Sequence, residues 1–235
     1  MKHFLMNLND GKMRTVKKIK SLARIFLSKL LGRHVMCALK PADESEIISF
    51  DVFDTLILRK CKPHEVFAFV SVKCGIKSFM SDRIEAEHRA RMKSRREEVT
   101  LDEIYDELSV IYGHERIEEL KALETESEFD VIYPNPELQK FFDLMKSKHK
   151  RIIIISDMYL PVNIIEAMLQ RCGYEGYESV YVSSEYGLTK RHGSLFAHVL
   201  REKNILPDRV LHIGDNFISD YLMPKQNGMK SFICK

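Results

Sequence analysis

The sequence contains no tryptophan, and its 235 residues include only ten glycines and seven prolines. This scarcity excludes collagen-like and low-complexity chains. No apolar run approaches the ~20 residues that a membrane-spanning helix needs. The first residues also lack the small-residue cleavage site of a secretion signal. Apolar residues make up 45% and charged residues 30% of the chain, so we expect a folded globular protein rather than a disordered one.

Cysteine is also sparse, and the few cysteines form no pattern. They are Cys37, Cys61, Cys74, Cys172 and Cys234. No pair has the Cys-x-x-Cys spacing, and no histidine lies at a metal-binding spacing from any of them. This lack of regular spacing excludes a disulfide framework and a zinc site, and it indicates reduced thiols. We therefore expect a cytoplasmic protein.

Positive charge is concentrated at the N-terminus. Residues 1–40 hold ten Lys and Arg and a single acid, Asp10, for a net charge of +9. Because the whole chain carries +3, residues 41–235 carry −6. Within this arm, residues 13–32 place apolar side chains at three- and four-residue spacing, which predicts an amphipathic basic helix.

A basic amphipathic helix can lie on an anionic membrane with its apolar face buried. Contact of residues 1–40 with the inner face of the membrane is therefore the leading interpretation of the arm. The alternatives are that the arm docks on the protein's own body, on a partner or on RNA. We predict no specific recognition of nucleic acid.

Strand and helix patterns alternate over much of the remaining chain. The predicted strands are Ile47 to Phe50, Arg151 to Ile155, Val180 to Val182, Val210 to Ile213 and Phe232 to Ile233. Such alternation predicts an α/β fold with a Rossmann-like parallel sheet and helices on both faces.

A long stretch between the first two strands is predicted to be helical. Pro63 suits a first helical turn, and Thr100 with Glu103 forms a capping-box pattern. We therefore divide the chain into three parts. These are an arm and linker at 1–44, with the linker at 33–44, a core domain at 45–61 and 150–235, and a helical domain at 62–149.

Polar residues follow four of the predicted strands. They are Asp51, Ser156, Asp157, Lys190 in a loop, Asp215, and Asp220 five residues further on. The carboxyl ends of parallel strands meet at one edge of the sheet, where ligands bind. A carboxylate can attack phosphorus, a lysine and a metal can neutralise charge, and a hydroxyl can donate to a phosphoryl oxygen. Mg²⁺ prefers such oxygen ligands.

The order and spacing of these residues resemble the four sequence motifs of the haloacid dehalogenase (HAD) superfamily, over roughly residues 45–235. The motifs are matched by Asp51 with Thr55, by Ser156, by Gly187 and Lys190 with Leu195 and Phe196, and by Gly214 and Asp215 with Asp220. The resemblance implies the HAD fold, with residues 62–149 as an inserted α-helical cap that excludes water and selects the substrate. The sequence is also similar to a bacterial subgroup that accompanies surface-polysaccharide synthesis.

The resemblance also implies a role for each matched residue. Asp51 would be the nucleophile that forms an aspartyl-phosphate. The implied ligands of the Mg²⁺ site are Asp51, the backbone carbonyl of Phe53, and Asp215, with Asp220 as outer support. The implied groups that hold the substrate are Thr55, Ser156, Asp157 and Lys190, of which Ser156 and Lys190 are also catalytic.

Position 53 departs from the pattern. Phosphatases of the superfamily carry a second aspartate two residues after the nucleophile, where this chain has Phe53, and Asp54 is interpreted as a turn residue. The resemblance still implies a Mg²⁺-dependent phosphatase of a small phosphorylated metabolite, such as a sugar phosphate. A metal-independent dehalogenase-like hydrolase and a non-catalytic membrane-associated scaffold are the alternatives. His192 and His212 show no partner pattern and are interpreted as structural or solvated.

Overall fold

The computed structural model describes residues 35–234. The amphipathic helix predicted at 13–32 and most of the basic arm lie outside the described residues. Within the part that is described, no helix combines the length and the hydropathy that crossing a membrane requires. All five cysteines are described and all are thiols.

The described chain begins with two short helical segments. These are a 3₁₀ helix at Val35–Ala38 and helix α1 at Leu39–Asp43. Val35, Ala38 and Ala42 are buried in the main hydrophobic cluster. The linker predicted at 33–44 is therefore corrected, because most of it is helical and its apolar side chains belong to the core.

Within residues 35–234, seven strands form two sheets. In chain order they are β1 (Ile47–Phe50), β2 (Ile57–Arg59), β3 (Ile132–Pro134), β4 (Arg151–Ser156), β5 (Ser179–Val182), β6 (Val210–Gly214) and β7 (Lys230–Ile233). The large sheet has the order β5-β4-β1-β6-β7 and every pair is parallel, as the alternating pattern predicted. β2 and β3 form a separate antiparallel pair.

In the described part of the chain, nine further helices follow α1. They are α2 (Val66–Cys74), α3 (Phe79–Lys93), α4 (Leu101–Tyr112), α5 (His114–Val131), α6 (Pro136–Ser147), α7 (Val162–Arg171), α8 (Ser183–Tyr186), α9 (Ser194–Glu202) and α10 (Met223–Gln226). Two 3₁₀ turns and a π-helix complete the described elements: Pro63–Glu65, Pro207–Arg209 and Phe217–Leu222.

Helices α2 to α5 lie between β2 and β3 and pack on one another. The predicted capping box is present, since Thr100 Oγ1 accepts the Glu103 N–H at 3.1 Å and Glu103 Oε2 accepts the Thr100 N–H at 2.8 Å. Helix α6 instead packs on the large sheet, where Phe142 lies 5.5 Å from Phe50 between ring centroids. The helices that stand away from the sheet therefore end at α5, before the boundary predicted at residue 149. We refer to α2–α5 and the segments that join them as the helical insert.

The large sheet has an apolar core on each face. On β1, Ile48 and Phe50 point to the face that α6 and α7 cover, whereas Ile47 points to the face that α9 covers. Because side chains alternate along a strand, Ser49 and Asp51 lie on the α9 face. β1 is the central strand, so the residue that follows it lies in the middle of the sheet's carboxyl edge.

Candidate functional site

Asp51, directly after β1, lies at the centre of a buried cluster of charged side chains. Lys190 Nζ lies 2.5 Å from Asp51 Oδ1 and 2.7 Å from Asp220 Oδ1. Thr55 is fully buried and donates its hydroxyl to Asp51 Oδ2 at 3.0 Å. In this structure, Thr55 therefore supports Asp51 and does not line the cavity described below.

Three carboxylates converge in the same place. Asp51, Asp215 and Asp220 each offer an oxygen, and these oxygens lie within 4.8 Å of one another. Several carboxylate oxygens around one point suit a hard divalent cation such as Mg²⁺. The donor set therefore fits the ion that the sequence predicts. The backbone carbonyl of Phe53 as a fourth ligand stays a prediction.

Burial and charge shift the pKa values of the cluster in different directions. Burial raises the pKa of Asp51 to about 7, although the Lys190 ammonium opposes the shift. Burial also disfavours the Lys190 ammonium, but the Asp220 and Asp51 carboxylates outweigh it and hold the pKa of Lys190 above its usual range. Burial likewise disfavours the Asp220 carboxylate, yet Lys190 and His212 together keep its pKa well below the ordinary value. A divalent cation would add to Lys190 in favouring ionised Asp51.

The end of β4 supplies a hydroxyl and a further carboxylate. Ser156 Oγ is buried and has no hydrogen-bond partner within residues 35–234, although Ser156 lines the cavity. A buried hydroxyl without a partner is costly, so an oxygen-rich ligand at this point would relieve it. Asp157, predicted to bind substrate, accepts the backbone N–H of Lys190 at 2.7 Å and of Arg191 at 3.1 Å. Its carboxylate therefore holds the loop that carries Lys190.

A cavity of about 350 Å³ lies over these groups. Phe53 lines it, and the Arg59 guanidinium stacks on the Phe53 ring, 3.9 Å from the centroid. A second cavity of about 710 Å³ shares Phe53, Arg91 and Asp157 with the first, so the two adjoin. Asp54 lines neither cavity and adopts a left-handed φ of 57°, as a turn residue can.

The helical insert also contributes to the first cavity, through Arg91, Glu97 and Glu98. Glu98 accepts from Arg91 Nη1 at 2.6 Å and from Ser183 Oγ at 3.2 Å. The sequence analysis identified none of these three residues. They lie in a stretch of mixed charge whose spacing resembles that of any solvated surface, so no local pattern separated them from it.

Two histidines interpreted as structural or solvated also belong to the site. His192 lines the cavity, and its Nδ1 lies 2.7 Å from Thr189 Oγ1. His212 is fully buried, and its Nε2 lies 3.1 Å from Asp220 Oδ1. The one sequence signal that could have identified His212 as part of the site was its position within a predicted buried strand.

Comparison with known proteins agrees with this architecture. A family model described as haloacid dehalogenase-like hydrolase matches residues 46–228. The structure resembles a 2-haloacid dehalogenase from Pseudomonas syringae pv. tomato, with a TM-score of 0.62 and 16% identity over 79% of this chain and 84% of that one. It also resembles a HAD family enzyme from Bacteroides thetaiotaomicron, solved with magnesium and inorganic phosphate, with a TM-score of 0.59 and 15% identity over 81% and 94% of the two chains. At such identities the likeness is one of fold.

A curated relative matches a shorter segment. The haloacid dehalogenase-like hydrolase domain-containing protein 3 of Xenopus laevis is 30% identical over 70 residues. That segment is 29% of this chain and 29% of the relative, so it spans less than a third of either protein.

Proposed function

The chain belongs to the haloacid dehalogenase-like hydrolases, and from this premise we propose that it is a Mg²⁺-dependent phosphatase of a small phosphorylated metabolite. The observation that carries the proposal is the contact of Lys190 Nζ with Asp51 at 2.5 Å, beside the convergent carboxylates of Asp215 and Asp220. A nucleophilic carboxylate surrounded by groups that bind a cation suits an anionic phosphoryl group.

The proposed reaction has two steps. An oxygen of Asp51 attacks phosphorus, an acyl-phosphate bond forms, and the bond to the leaving-group oxygen breaks. The leaving group departs with the electron pair and takes a proton from water. Water then attacks the phosphorus, inorganic phosphate leaves, and the Asp51 carboxylate is restored.

Other side chains hold the phosphoryl group during these steps. The Lys190 ammonium pairs with one phosphoryl oxygen, and the unpartnered Ser156 hydroxyl donates to another. Mg²⁺ bound by Asp51, Asp215 and the Phe53 carbonyl would supply further positive charge against the phosphoryl oxygens. Asp220 accepts from Lys190 Nζ at 2.7 Å and keeps the ammonium in place.

The second cavity is proposed to hold the rest of the substrate. It is lined by polar, aromatic and aliphatic side chains, among them Arg59, His88, Tyr159 and Ile84. Its volume of about 710 Å³ gives room for a group as large as a monosaccharide. A sugar phosphate is therefore our proposed substrate, which also agrees with the resemblance to a subgroup that accompanies surface-polysaccharide synthesis.

A screen of phosphate monoesters with Mg²⁺ tests the proposal. Asp51→Asn removes the nucleophile and should lower kcat by at least ~10⁴-fold. Asp54→Asn is the matched control, because Asp54 is a nearby aspartate that lines neither cavity, and it should retain activity. Equal activity in the Asp51→Asn variant would refute the mechanism.

Because Phe53 is not an acid, it favours a second candidate function. A metal-independent dehalogenase-like hydrolase needs a nucleophilic aspartate but no acid at position 53. Halide release from a 2-haloacid in the presence of a chelator would support it. A strict requirement for Mg²⁺ would exclude it, and the three-carboxylate cluster supports the phosphatase instead.

A further inference from the structure

His212 is a polar ring in the middle of a buried strand. It lies on β6 and is fully buried. It is in register with Ser49 on β1, and Ser49 Oγ lies 2.8 Å from His212 Nδ1. On its other side, His212 Nε2 lies 3.1 Å from Asp220 Oδ1. Both ring nitrogens therefore have a polar partner, and the second partner belongs to the candidate active site.

The partners define which nitrogen carries the proton. An ionised Asp220 can only accept, so His212 must present an Nε2–H to it. A neutral ring protonated at Nε2 has an accepting Nδ1, and the Ser49 hydroxyl is placed to donate to it.

Both oxygens of the Asp220 carboxylate accept hydrogen bonds. Its Oδ1 accepts from Lys190 Nζ at 2.7 Å as well as from His212, and its Oδ2 accepts the Asn216 N–H at 2.9 Å. It also lies directly against the strand, because a Cβ built on Gly214 would come within 2.4 Å of Asp220 Cγ. Only glycine at 214 leaves room for the carboxylate to reach both His212 and Lys190.

We propose that His212, oriented by Ser49, is a positioning residue. Its Nε2–H fixes the Asp220 carboxylate, and Asp220 in turn holds the Lys190 ammonium against Asp51. The inference rests on the proposed function, since Lys190 and Asp51 are its reacting groups. Without the Nε2–H, one of the two donors to Asp220 Oδ1 is lost, so the carboxylate, and through it the Lys190 ammonium, is held less firmly.

Three variants separate this role from a packing role. His212→Leu removes both polar atoms, whereas His212→Gln keeps a donor near Nε2 and an acceptor near Nδ1. Ser49→Ala removes only the hydroxyl that orients the ring. Ser45→Ala is the matched control: Ser45 is equally buried and makes a hydrogen bond of the same 2.8 Å, but it precedes β1 at the end opposite Asp51.

We expect His212→Leu to lower kcat by about 10- to 100-fold, the usual loss when a support of an active-site carboxylate is removed, with little change in KM. His212→Gln should restore most of kcat. Ser49→Ala should lower kcat more than Ser45→Ala does, while the two shift the unfolding midpoint similarly. The proposal is overturned if folded His212→Leu keeps the wild-type kcat, or if the Gln variant is no better than the Leu variant.

Nitrogen-15 NMR of the imidazole rings tests the geometry without any substrate. The His212 signals, assigned by their loss in the Gln variant, should show a proton on Nε2. A ring protonated only at Nδ1 has no hydrogen to donate to Asp220 and would refute the inference even in an active enzyme. A wild-type protein inactive on all phosphate esters would instead refute the proposed function, and the ring signals would still decide the inference.

Discussion

Glu97 accepts two hydrogen bonds from Thr189, the residue before Lys190: from its backbone N–H at 2.8 Å and from its hydroxyl at 3.1 Å. The same carboxylate oxygen also accepts from the Ser194 hydroxyl. Glu97 lies in the helical insert between α3 and α4, whereas Thr189 and Lys190 lie in a loop at the carboxyl edge of the large sheet. The insert therefore holds the loop that carries the lysine.

Glu97→Ala should lower kcat by about 10-fold, because hydrogen bonds to a charged group contribute about 1.5–3 kcal/mol and their loss frees the Lys190 loop. Glu107→Ala is the control. Glu107 is another glutamate of the insert, and its ion pairs are with Arg89 and Lys93 of α3 and not with the Lys190 loop. Steady-state kinetics on both variants checks the expectation, which is wrong if the two have the same kcat.

Phe53→Asp should increase turnover, since a positioned acid typically contributes ~10²–10⁴-fold. Arg59 stacks on the Phe53 ring at 3.9 Å and would pair with the new carboxylate, so we expect the low end of that range. The gain should be larger for alkyl phosphates, whose leaving groups need a proton, than for nitrophenyl phosphate. Phe53→Asn has the same size without the acid. An equal gain in that variant would contradict the explanation.

Arg83→Met should destabilise the insert by about 3–5 kcal/mol, because it leaves a buried carboxylate without its cation. Arg83 and Glu124 are both fully buried, and two hydrogen bonds of 2.8 and 2.9 Å join them. The double variant Arg83→Met with Glu124→Leu should recover most of the loss. Urea unfolding measures both effects, and a double variant less stable than Arg83→Met alone would refute this account.

The ionisation of Glu178 makes the stability of the fold depend on pH. Hydrogen bonds from Arg151 at 2.8 Å and Lys203 at 3.1 Å lower its pKa to about 2, below the ~4.3 of an unfolded chain. Ionised Glu178 therefore stabilises the fold above pH ~4, and this contribution disappears as the pH falls toward about 2. Because a third of the side chain is exposed (34%), salt should also reduce the effect.

Glu178→Gln tests this expectation. The variant should be less stable than the wild type at pH 7. The difference should shrink as the pH falls toward about 2 and vanish below it, where the wild-type carboxylate is protonated too. Thermal unfolding at several pH values, each at low and high salt, measures the difference. A difference that stays constant with pH would mean that the charge of Glu178 does not contribute.

The large sheet and its acidic edge could be predicted because their signals are local. Apolar runs predicted the strands. Asp51 and Ser156 follow two of those runs directly, and Asp215 follows a third after Gly214. The capping box at Thr100 is also a short-range pattern, and it is present. The roles of these residues beyond their positions came from the family resemblance, and they stay proposals.

Other features depend on contacts between distant residues. The pairing of β2 with β3 joins short segments separated by the whole helical insert. The bond between Glu97 and Thr189 spans 92 positions, and the contact of Ser49 with His212 spans 163. The register between β1 and β6 brings Ser49 beside His212, and a single sequence does not reveal how its strands are aligned. The hydrogen bonds of Asp157 to the backbone amides of Lys190 and Arg191 also join residues that are distant in the sequence, and its contact with substrate stays a prediction.

The central place of β1 in the sheet has a consequence for biosynthesis. Asp51 leaves the ribosome 139 residues before Lys190, an interval on the order of ten seconds at usual elongation rates. Both strands that flank β1, β4 and β6, are translated within or after that interval. The helices of the insert have time to form while β1 still lacks its neighbours, so the sheet and the charged cluster around Asp51 are completed together, once β6 has been translated.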